Sequence, residues 1–263
     1  MAHAIISGAI HSKTINPDLV GVVDPSQDRH SLFKNAFTDT VVALNWLRDQ
    51  SQDAGTIILA IKPQMLDAAV APIREEIDQL PYCPLVISIL AGTRIKQIKH
   101  AFDNKARVIR VMPNTPAQVG HAMSAIASSN DATESDMQLA DQLFNSIGKA
   151  ITIPEDLMDA FTALAGSGPA YLFYLAQAMT QAATQLGFDQ HQTNTIVRQT
   201  IYGSASLLHN APESPKELRK NVTSKNGTTY AATSLLDESG VMDTIVRAIH
   251  AARHRGAELG QQS

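Results

Sequence analysis

Cysteine is almost missing from this chain: Cys83 stands alone among 263 residues, so no intrachain disulfide can form and the fold must rest on its apolar core. No charged leader followed by an apolar run marks a secretory signal, which makes the cytoplasm the expected setting. No stretch offers the ~20 clean apolar residues of a bilayer span. The most apolar run, PAYLFYLAQAMTQAATQLG from Pro169 to Gly187, is broken by Gln177, Thr180, Gln181, Thr184 and Gln185. It reads as a buried helix at an interface, and no membrane partner is expected. A long basic stretch is also missing and the formal net charge is -4, which argues against nucleic acid as a partner. The chain holds no phosphate loop of the GxxxxGK[ST] kind, no repeat, no low-complexity segment and no Ser/His/Asp or Cys/His set at recognisable spacing. A small-molecule substrate fits these exclusions.

What is present divides near Pro154 and Glu155. A length of 263 residues favours two domains. Through about residue 153, near-continuous β-branched runs alternate with helical stretches: LVGVVD (Leu19 to Asp24), GTIILAI (Gly55 to Ile61), PLVISIL (Pro84 to Leu90), ARVIRVM (Ala106 to Met112) and KAITI (Lys149 to Ile153). Runs of this kind suit strands buried on both faces, and intervening helices make βαβ crossovers, so an α/β fold with a doubly wound parallel sheet is expected. Beyond Pro154 the strand pattern stops. Helices are expected near 156 to 165, 169 to 186, 190 to 208, 228 to 238 and 240 to 259, giving an all-helical second domain.

The first residues, MAHAIISGAIHSK, read as a helix with apolar residues at helical spacing and nothing ahead to cap it. In a dinucleotide-binding fold a first strand and a glycine-rich turn feed such a helix, whose N-terminus faces the pyrophosphate. LVGVVD then stands as the second strand, ending in an acidic residue that can meet a ribose. The first strand and the glycine-rich turn are expected to be missing from the sequence as given.

An ordered series of motifs carries a resemblance: ILAIKPQ (Ile58 to Gln64), VISILAG (Val86 to Gly92), RVMPNTPAQVG (Arg110 to Gly120), ALAGSGPAYLF (Ala163 to Phe173) and VTSKNGTT (Val222 to Thr229). With Met1 and Ala2 as the end of its glycine-rich loop, the whole chain resembles the pyrroline-5-carboxylate reductases, the last enzymes of proline biosynthesis. The resemblance implies an N-terminal Rossmann-like domain over 1–153, incomplete at its start, and a helical dimerisation and substrate-binding domain over 154–263. It implies reduction of the imine of 1-pyrroline-5-carboxylate to L-proline, with NADPH as cofactor and NADH as the alternative. A homodimer or higher homo-oligomer is the implied assembly. A non-catalytic relative that keeps only the helical dimerisation role is the rival reading, motivated by the missing start. A hydroxyacid dehydrogenase on a similar plan is disfavoured, because the helical domain shows no equivalent of that family's catalytic lysine.

The residues themselves support these assignments and leave plainer readings open. AIKP ends a strand at the edge where open α/β sheets bind ligands, though a strand followed by Lys-Pro is also an ordinary helix start. MPNTP stiffens a turn at a strand's carboxyl end, where the Asn114 amide can donate and accept toward an amide such as nicotinamide; a rigid loop is the plainer reading. By resemblance, cofactor contacts are expected from Ser26, Asn45, Ala60, Ile61, Lys62, Pro63 and Asn114. Asp24 favours the 2'-hydroxyl of NAD, while Ser26, Arg29 and His30 are placed to receive the NADP phosphate. GSGPAY (Gly166 to Tyr171) reads as a helix-helix corner, which the resemblance puts near the nicotinamide.

In VTSKNGTTYAATSLLDESG, hydroxyl residues precede an amphipathic helix whose first free amides make a carboxylate site. By resemblance, Ser224 and the amides around Gly227 and Thr228 hold the substrate carboxylate, and Thr229 is the catalytic residue, hydrogen-bonding the ring nitrogen. Lys225 and Asn226 replace the Pro-Gly usual in the family; Asn tolerates positive φ, so the turn is expected to survive. The sequons at Asn221 and Asn226 are not expected to be glycosylated without a secretory signal. No metal is expected: His250 and His254 sit four apart without an acidic or cysteine partner, and the neighbouring Arg247, Arg253 and Arg255 read as a solvated or subunit-facing surface. Cys83 reads as a core residue at a strand entry.

Overall fold

The computed structural model describes residues 1–50, 55–80 and 82–262, and the side chains of these except 261 and 262. The chain forms two compact units, one of Met1–Ser167 together with the end of the last helix from Ala252, the other of Gly168–Ala251.

The first unit contains α1 (Ala2–His11), β1 (Gly21–Val23), β2 (Asn35–Phe37), α2 (Thr40–Gln50), β3 (Thr56–Leu59), α3 (Leu66–Val70), α4 (Arg74–Asp78), β4 (Leu85–Ser88), α5 (Ile95–Ala101), β5 (Arg107–Met112), β6 (Ala122–Ser128), α6 (Glu134–Asn145), β7 (Gly148–Thr152) and α7 (Met158–Phe161). Helix α7 runs into a π-turn, Thr162–Gly166. The five main strands lie in the order β3-β4-β5-β6-β7. All neighbours are parallel except β5 and β6, which run antiparallel from Ile109↔Ser128 to Met112↔Ala125. Strands β1 and β2 form a separate parallel pair. Among the described residues β1 therefore pairs on one side only, with β2, and β3 on one side only, with β4.

Alternation along the buried strands builds a core on each face of the sheet. Val86 and Val108 join Leu66, Val70, Ile98, Phe102 and Met158 on one face. Leu85, Ile87, Ile109 and Val111 join Ile5 and Ala9 of α1 and Ala140, Leu143 and Phe144 of α6 on the other. Helices covering both faces of a largely parallel sheet make this unit Rossmann-like. The antiparallel β6 departs from an all-parallel sheet. Its sequence, AMSAIAS, carries the small residues that a strand buried between β5 and β7 can accept, but little β-propensity to announce it. Strand β2, only three residues long, has too few residues for a periodicity.

The second unit holds α8 (Gly168–Gln185), α9 (Gln190–Asn210), α10 (Pro215–Asn221), α11 (Thr228–Glu238) and the first part of α12 (Val241–Gln262). Helix α10 was not anticipated, yet S-P-K-E announces it: Pro215 opens the helix, the Ser214 hydroxyl accepts from the Glu217 amide and the Glu217 carboxylate accepts from the Ser214 amide. Helix α8, expected to be buried, buries only Ala183 in the single chain and leaves Leu172, Phe173, Tyr174 and Leu175 more than half exposed. Its apolarity does not serve the chain's own core. Cys83 is a second correction. Its side chain is exposed, and its backbone carbonyl accepts from Arg107 Nη1 at 2.5 Å. No described helix is long and apolar enough to cross a membrane.

One largely buried ion pair fixes α6 to β5. Arg107 meets Asp136 with both prongs of its guanidinium, at 2.7 and 3.0 Å, while Asp136 also caps α6 by accepting from the Thr133 amide at 2.8 Å. Burial raises the Asp136 pKa, but the hydrogen bonds from Arg107 and Thr133 outweigh it and hold the carboxyl below its ordinary value. The Arg107 guanidinium is raised in turn, chiefly by its hydrogen bond to Asp136. A depressed folded-state pKa stabilises above the unfolded carboxylate pKa, and that stability is lost as pH falls through the folded value. Asp136→Asn therefore costs about 3 kcal/mol at pH 7 in a urea titration. The gap between variant and wild type narrows below about pH 4.

Candidate active site

Ligands of open α/β sheets bind outside the carboxyl ends of the strands, and the first unit brings most of the expected cofactor residues to such ends. Ala60 to Pro63 leave β3: Ala60 and Lys62 are exposed, Ile61 and Pro63 half-buried. Lys62 has an extended backbone and stands before a short 3-10 turn, Pro63–Met65, in which the proline sits at a position where no amide is needed. Asn114 follows β5, a strand parallel to β4, which is itself parallel to β3. Ser26 follows β1 and is exposed, and Asn45 lies half-buried within α2.

Past β1 the backbone is shaped by two local bonds. The Asp24 carboxylate accepts from the Ser26 amide at 2.9 Å, and the His30 ring meets the Asp24 carbonyl at 2.8 Å. His30 then lines a recess of ≈ 300 Å³ together with Ala36, Phe37, Thr38, Asp39 and Val42. Thr38 and Asp39 escaped the sequence reading; they stand between β2 and α2, and the short β2 gave no strand end to place them by. Strand ends, a recess beside them and the exposed Ala60 and Lys62 fit one half of a dinucleotide.

Asn114 is placed differently from its neighbours. It is buried, its Nδ2 donates to the Ala165 carbonyl at 3.0 Å and its Oδ1 accepts from the Met123 amide at 2.9 Å. The amide expected to face a nicotinamide is thus engaged at both ends within the protein.

Arg110, in the same motif, also escaped the reading as a functional group. Only 3% of its side chain is exposed, and it meets Glu155 at 3.2 Å and Asp159 at 3.8 Å, while Arg94 meets Asp159 at 3.4 Å. Burial pulls the Arg110 guanidinium below its ordinary pKa, against the hydrogen bond and charge of Glu155 and the charge of Asp159. An isolated RVM run gives no hint of a partner so far along the chain.

The expected substrate residues come together in the second unit at the start of α11. Asn226 adopts φ 59°, so the turn survives the Lys-Asn replacement as expected. Gly227 is the N-cap; its backbone is extended, and space rather than φ demands glycine, because a Cβ would collide with the Ser224 hydroxyl. The Gly227 amide donates to the Ser224 carbonyl at 3.0 Å, closing the turn. A glycine N-cap has no side chain to offer the first amides of α11, which have no acceptor within the helix. Thr229 is half-buried and Thr228 exposed, and among the described residues the Thr229 hydroxyl has no protein partner. Lys225 is exposed and makes no ion pair among the described residues. The geometry is that of a small anion seat with one uncommitted hydroxyl beside it.

His254 pairs with Glu258 at 3.1 Å, and the described residues contain no group of three or more His, Cys, Asp or Glu placed to hold a metal.

A family model described as pyrroline-5-carboxylate reductase dimerisation matches residues 155–259. The pyrroline-5-carboxylate reductase of Synechocystis sp. is 34% identical over 262 residues, covering 100% of this chain and 96% of that protein. Pyrroline-5-carboxylate reductase 2 of Bacillus subtilis is 35% identical over 269 residues, covering 100% of this chain and 92% of that protein. Among solved structures, a pyrroline-5-carboxylate reductase from Coxiella burnetii is 27% identical with a TM-score of 0.85, over 98% of this chain and 94% of that one. The fold is shared too by the Plasmodium falciparum pyrroline carboxylate reductase with NADP bound, at 24% identity and a TM-score of 0.84, over 98% of this chain and 92% of that one. With full-length likeness at this level, the chain belongs to the pyrroline-5-carboxylate reductase family.

Proposed function

We propose that this protein reduces the C=N bond of 1-pyrroline-5-carboxylate to give L-proline, using NADPH in preference to NADH, in the cytoplasm. The observation that carries the reading is the start of α11, where free amides and the Thr229 hydroxyl stand together without a protein partner. A cyclic imino acid needs both: an anion seat for its carboxylate and a donor-acceptor for its ring nitrogen.

The division of labour follows the chain, with 1–153 for the cofactor and 154–263 for substrate and dimerisation. Ser26, Asn45, Ala60, Ile61, Lys62 and Pro63 hold the dinucleotide, while Asn114 lies on the same side with its amide already engaged. A reduced nicotinamide supplies a hydride for the imine carbon. The Ser224 hydroxyl and the amides of Thr228 and Thr229 orient the carboxylate, whereas the Gly227 amide, expected to join them, is spent on the Ser224 carbonyl; the dipole of α11 favours the negative charge. The Thr229 hydroxyl holds the proton that belongs on the ring nitrogen. A protonated imine is already electrophilic, so the site asks for no strong side-chain acid, in keeping with the scarcity of such groups around α11. Ser26, Arg29 and His30 favour the phosphate of NADPH; Asp24, the competing determinant for NADH, spends one carboxylate oxygen on the Ser26 amide.

The exposed apolar side chains of the helical unit, among them Phe173, Tyr174, Leu186, Tyr202 and Leu235, support association into a homodimer or a larger homo-oligomer.

The test is oxidation of NADPH and NADH with 1-pyrroline-5-carboxylate, with proline as the measured product. Thr229→Val removes the hydroxyl at constant shape and lowers kcat/KM by about 10²-fold while the NADPH Kd stays as it was. Gly227→Ala forces the Ser224 hydroxyl aside and acts on substrate binding, raising the KM for the imine at least ~10-fold with a smaller change in kcat. A wild-type protein that turns over neither cofactor with this substrate refutes the proposal.

A further inference from the structure

The Ala165 carbonyl lies where the chain passes towards α8, and an α-helix run on through it would call on an amide that is not there. In an α-helix it accepts from the amide of residue 169, and residue 169 is proline, which has none. The chain here is the π-turn Thr162–Gly166, closed by the Ser167 amide on the Thr162 carbonyl at 2.8 Å. Wide turns of this kind are frequent at functional sites. The substitute donor comes from far along the chain: Asn114 Nδ2, 51 residues away, at 3.0 Å.

The manner in which Asn114 is used sharpens the point. It occupies the N-cap of the 3-10 turn Thr115–Val119, where an asparagine ordinarily spends its oxygen on the local amides, but it makes no side-chain cap. Its oxygen instead takes the Met123 amide of β6 at 2.9 Å. One buried amide therefore joins the MPNTP turn, β6 and the π-turn. Gly166 lies close by as well, where a Cβ would come within 3.0 Å of the Met112 methyl. The π-turn is held on two sides by the motif that ends β5.

We propose that Asn114 is a positioning residue, not a cofactor contact: its amide stands in for the N–H that Pro169 lacks and holds the Thr162–Gly166 turn, with Ser167 after it, in the conformation the reductase needs. The inference rests on the reductase reading for its kinetic arm only.

Four proteins test it: wild type, Asn114→Ala, Pro169→Ala and the double variant. Thermal unfolding is read for all four, with NADPH affinity by fluorescence titration and steady-state oxidation with 1-pyrroline-5-carboxylate. Pro169→Ala returns an N–H to the Ala165 carbonyl, so it rescues part of the loss when Asn114 is gone and does nothing comparable when Asn114 is present. The double variant is expected to melt about 3 °C above the sum of the two single shifts. Asn114→Ala is expected to lower kcat about 10-fold or more with the NADPH Kd changed less than about 2-fold, and the double variant to regain part of that kcat. Additive melting shifts overturn the proposal. So does a tenfold rise in NADPH Kd at unchanged kcat, the signature of a direct contact. Where Asn114→Ala does not fold, Asn114→Asp keeps an oxygen for the Met123 amide, turns the donor to Ala165 into an acceptor at the added cost of a buried charge, and enters the same cycle. A wild type inactive with the imine refutes the reductase reading, and the melting cycle still decides whether Asn114 replaces the missing N–H.

Discussion

A guanidinium buried to 3% exposure in the middle of β5 is the constraint from which much of the first unit follows. Taking such a charge out of water costs several kcal/mol unless it is paired and hydrogen-bonded. The partners of Arg110, Glu155 and Asp159, come from the segment that follows β7, and Glu155 also accepts from the Ile95 amide at 2.7 Å. Arg94 adds a second cation at Asp159, so two positive and two negative groups balance. This segment must therefore lie across β5 wherever else its helices would carry it. Residues two apart on a strand share a face, and here Arg110, Met112 and Asn114 form such a series. Arg110 holds Glu155 and Asp159, Met112 lies against Gly166, and Asn114 takes Ala165. One side of β5 and its extension thus specifies the path of the chain from Glu155 to Gly166, through a short α-helix and a π-turn.

The proposed chemistry draws on backbone ends rather than on strong acids and bases. Most of the residues proposed for the cofactor sit where strands stop, and those proposed for the substrate sit where a helix begins. In both places polar groups are left over by the secondary structure itself. The sequence around Ser224 shows how little side-chain chemistry such a site needs: an asparagine in the left-handed region, a glycine with no room for a Cβ, and two threonines at the first helical positions. The turn asks for a positive φ at residue 226, which asparagine accepts, and asks nothing structural of the exposed Lys225.

The parts of this architecture that were legible in the sequence are those whose signal is local and repeated. Strands rich in Val and Ile, and the long helices after Pro154, declared themselves by composition and period. The KNGTT turn declared itself by glycine and asparagine. Strand β6 did not, since alanine and serine carry no β signal and its place in the sheet comes from the neighbours on both sides. Cys83 was misplaced because a residue next to an apolar run shares its appearance without sharing its burial. The engagement of Asn114 and the pairing of Arg110 are relations between distant residues, and one sequence holds no record of which carboxylate a given arginine meets. Even so, half of the Asn114 relation was in plain sight. Pro169 removes the amide that a continuous α-helix would give the carbonyl four residues earlier.

The helical unit poses the opposite problem from the first. Its helices are long, and α8, α9 and α10 carry good stop and start signals, yet within 168–251 only Ala183, Thr193 and Val197 are buried in the single chain. Helix propensity and capping contribute a few tenths to about 1 kcal/mol each, whereas fixing a backbone costs about that much per residue. Helices that leave Phe173, Tyr174, Leu186 and Tyr202 in water therefore recover too little from their own burial to hold their arrangement. The match of 155–259 to a dimerisation family agrees with this: a second chain supplies a partner for apolar surface that a single chain leaves open. Stability of these helices is then a property of the assembly and rises with protein concentration. The start of α11, where the substrate carboxylate is proposed to sit, belongs to the part of the chain that association holds in place. The first unit, with a core on both faces of its sheet, depends on association far less.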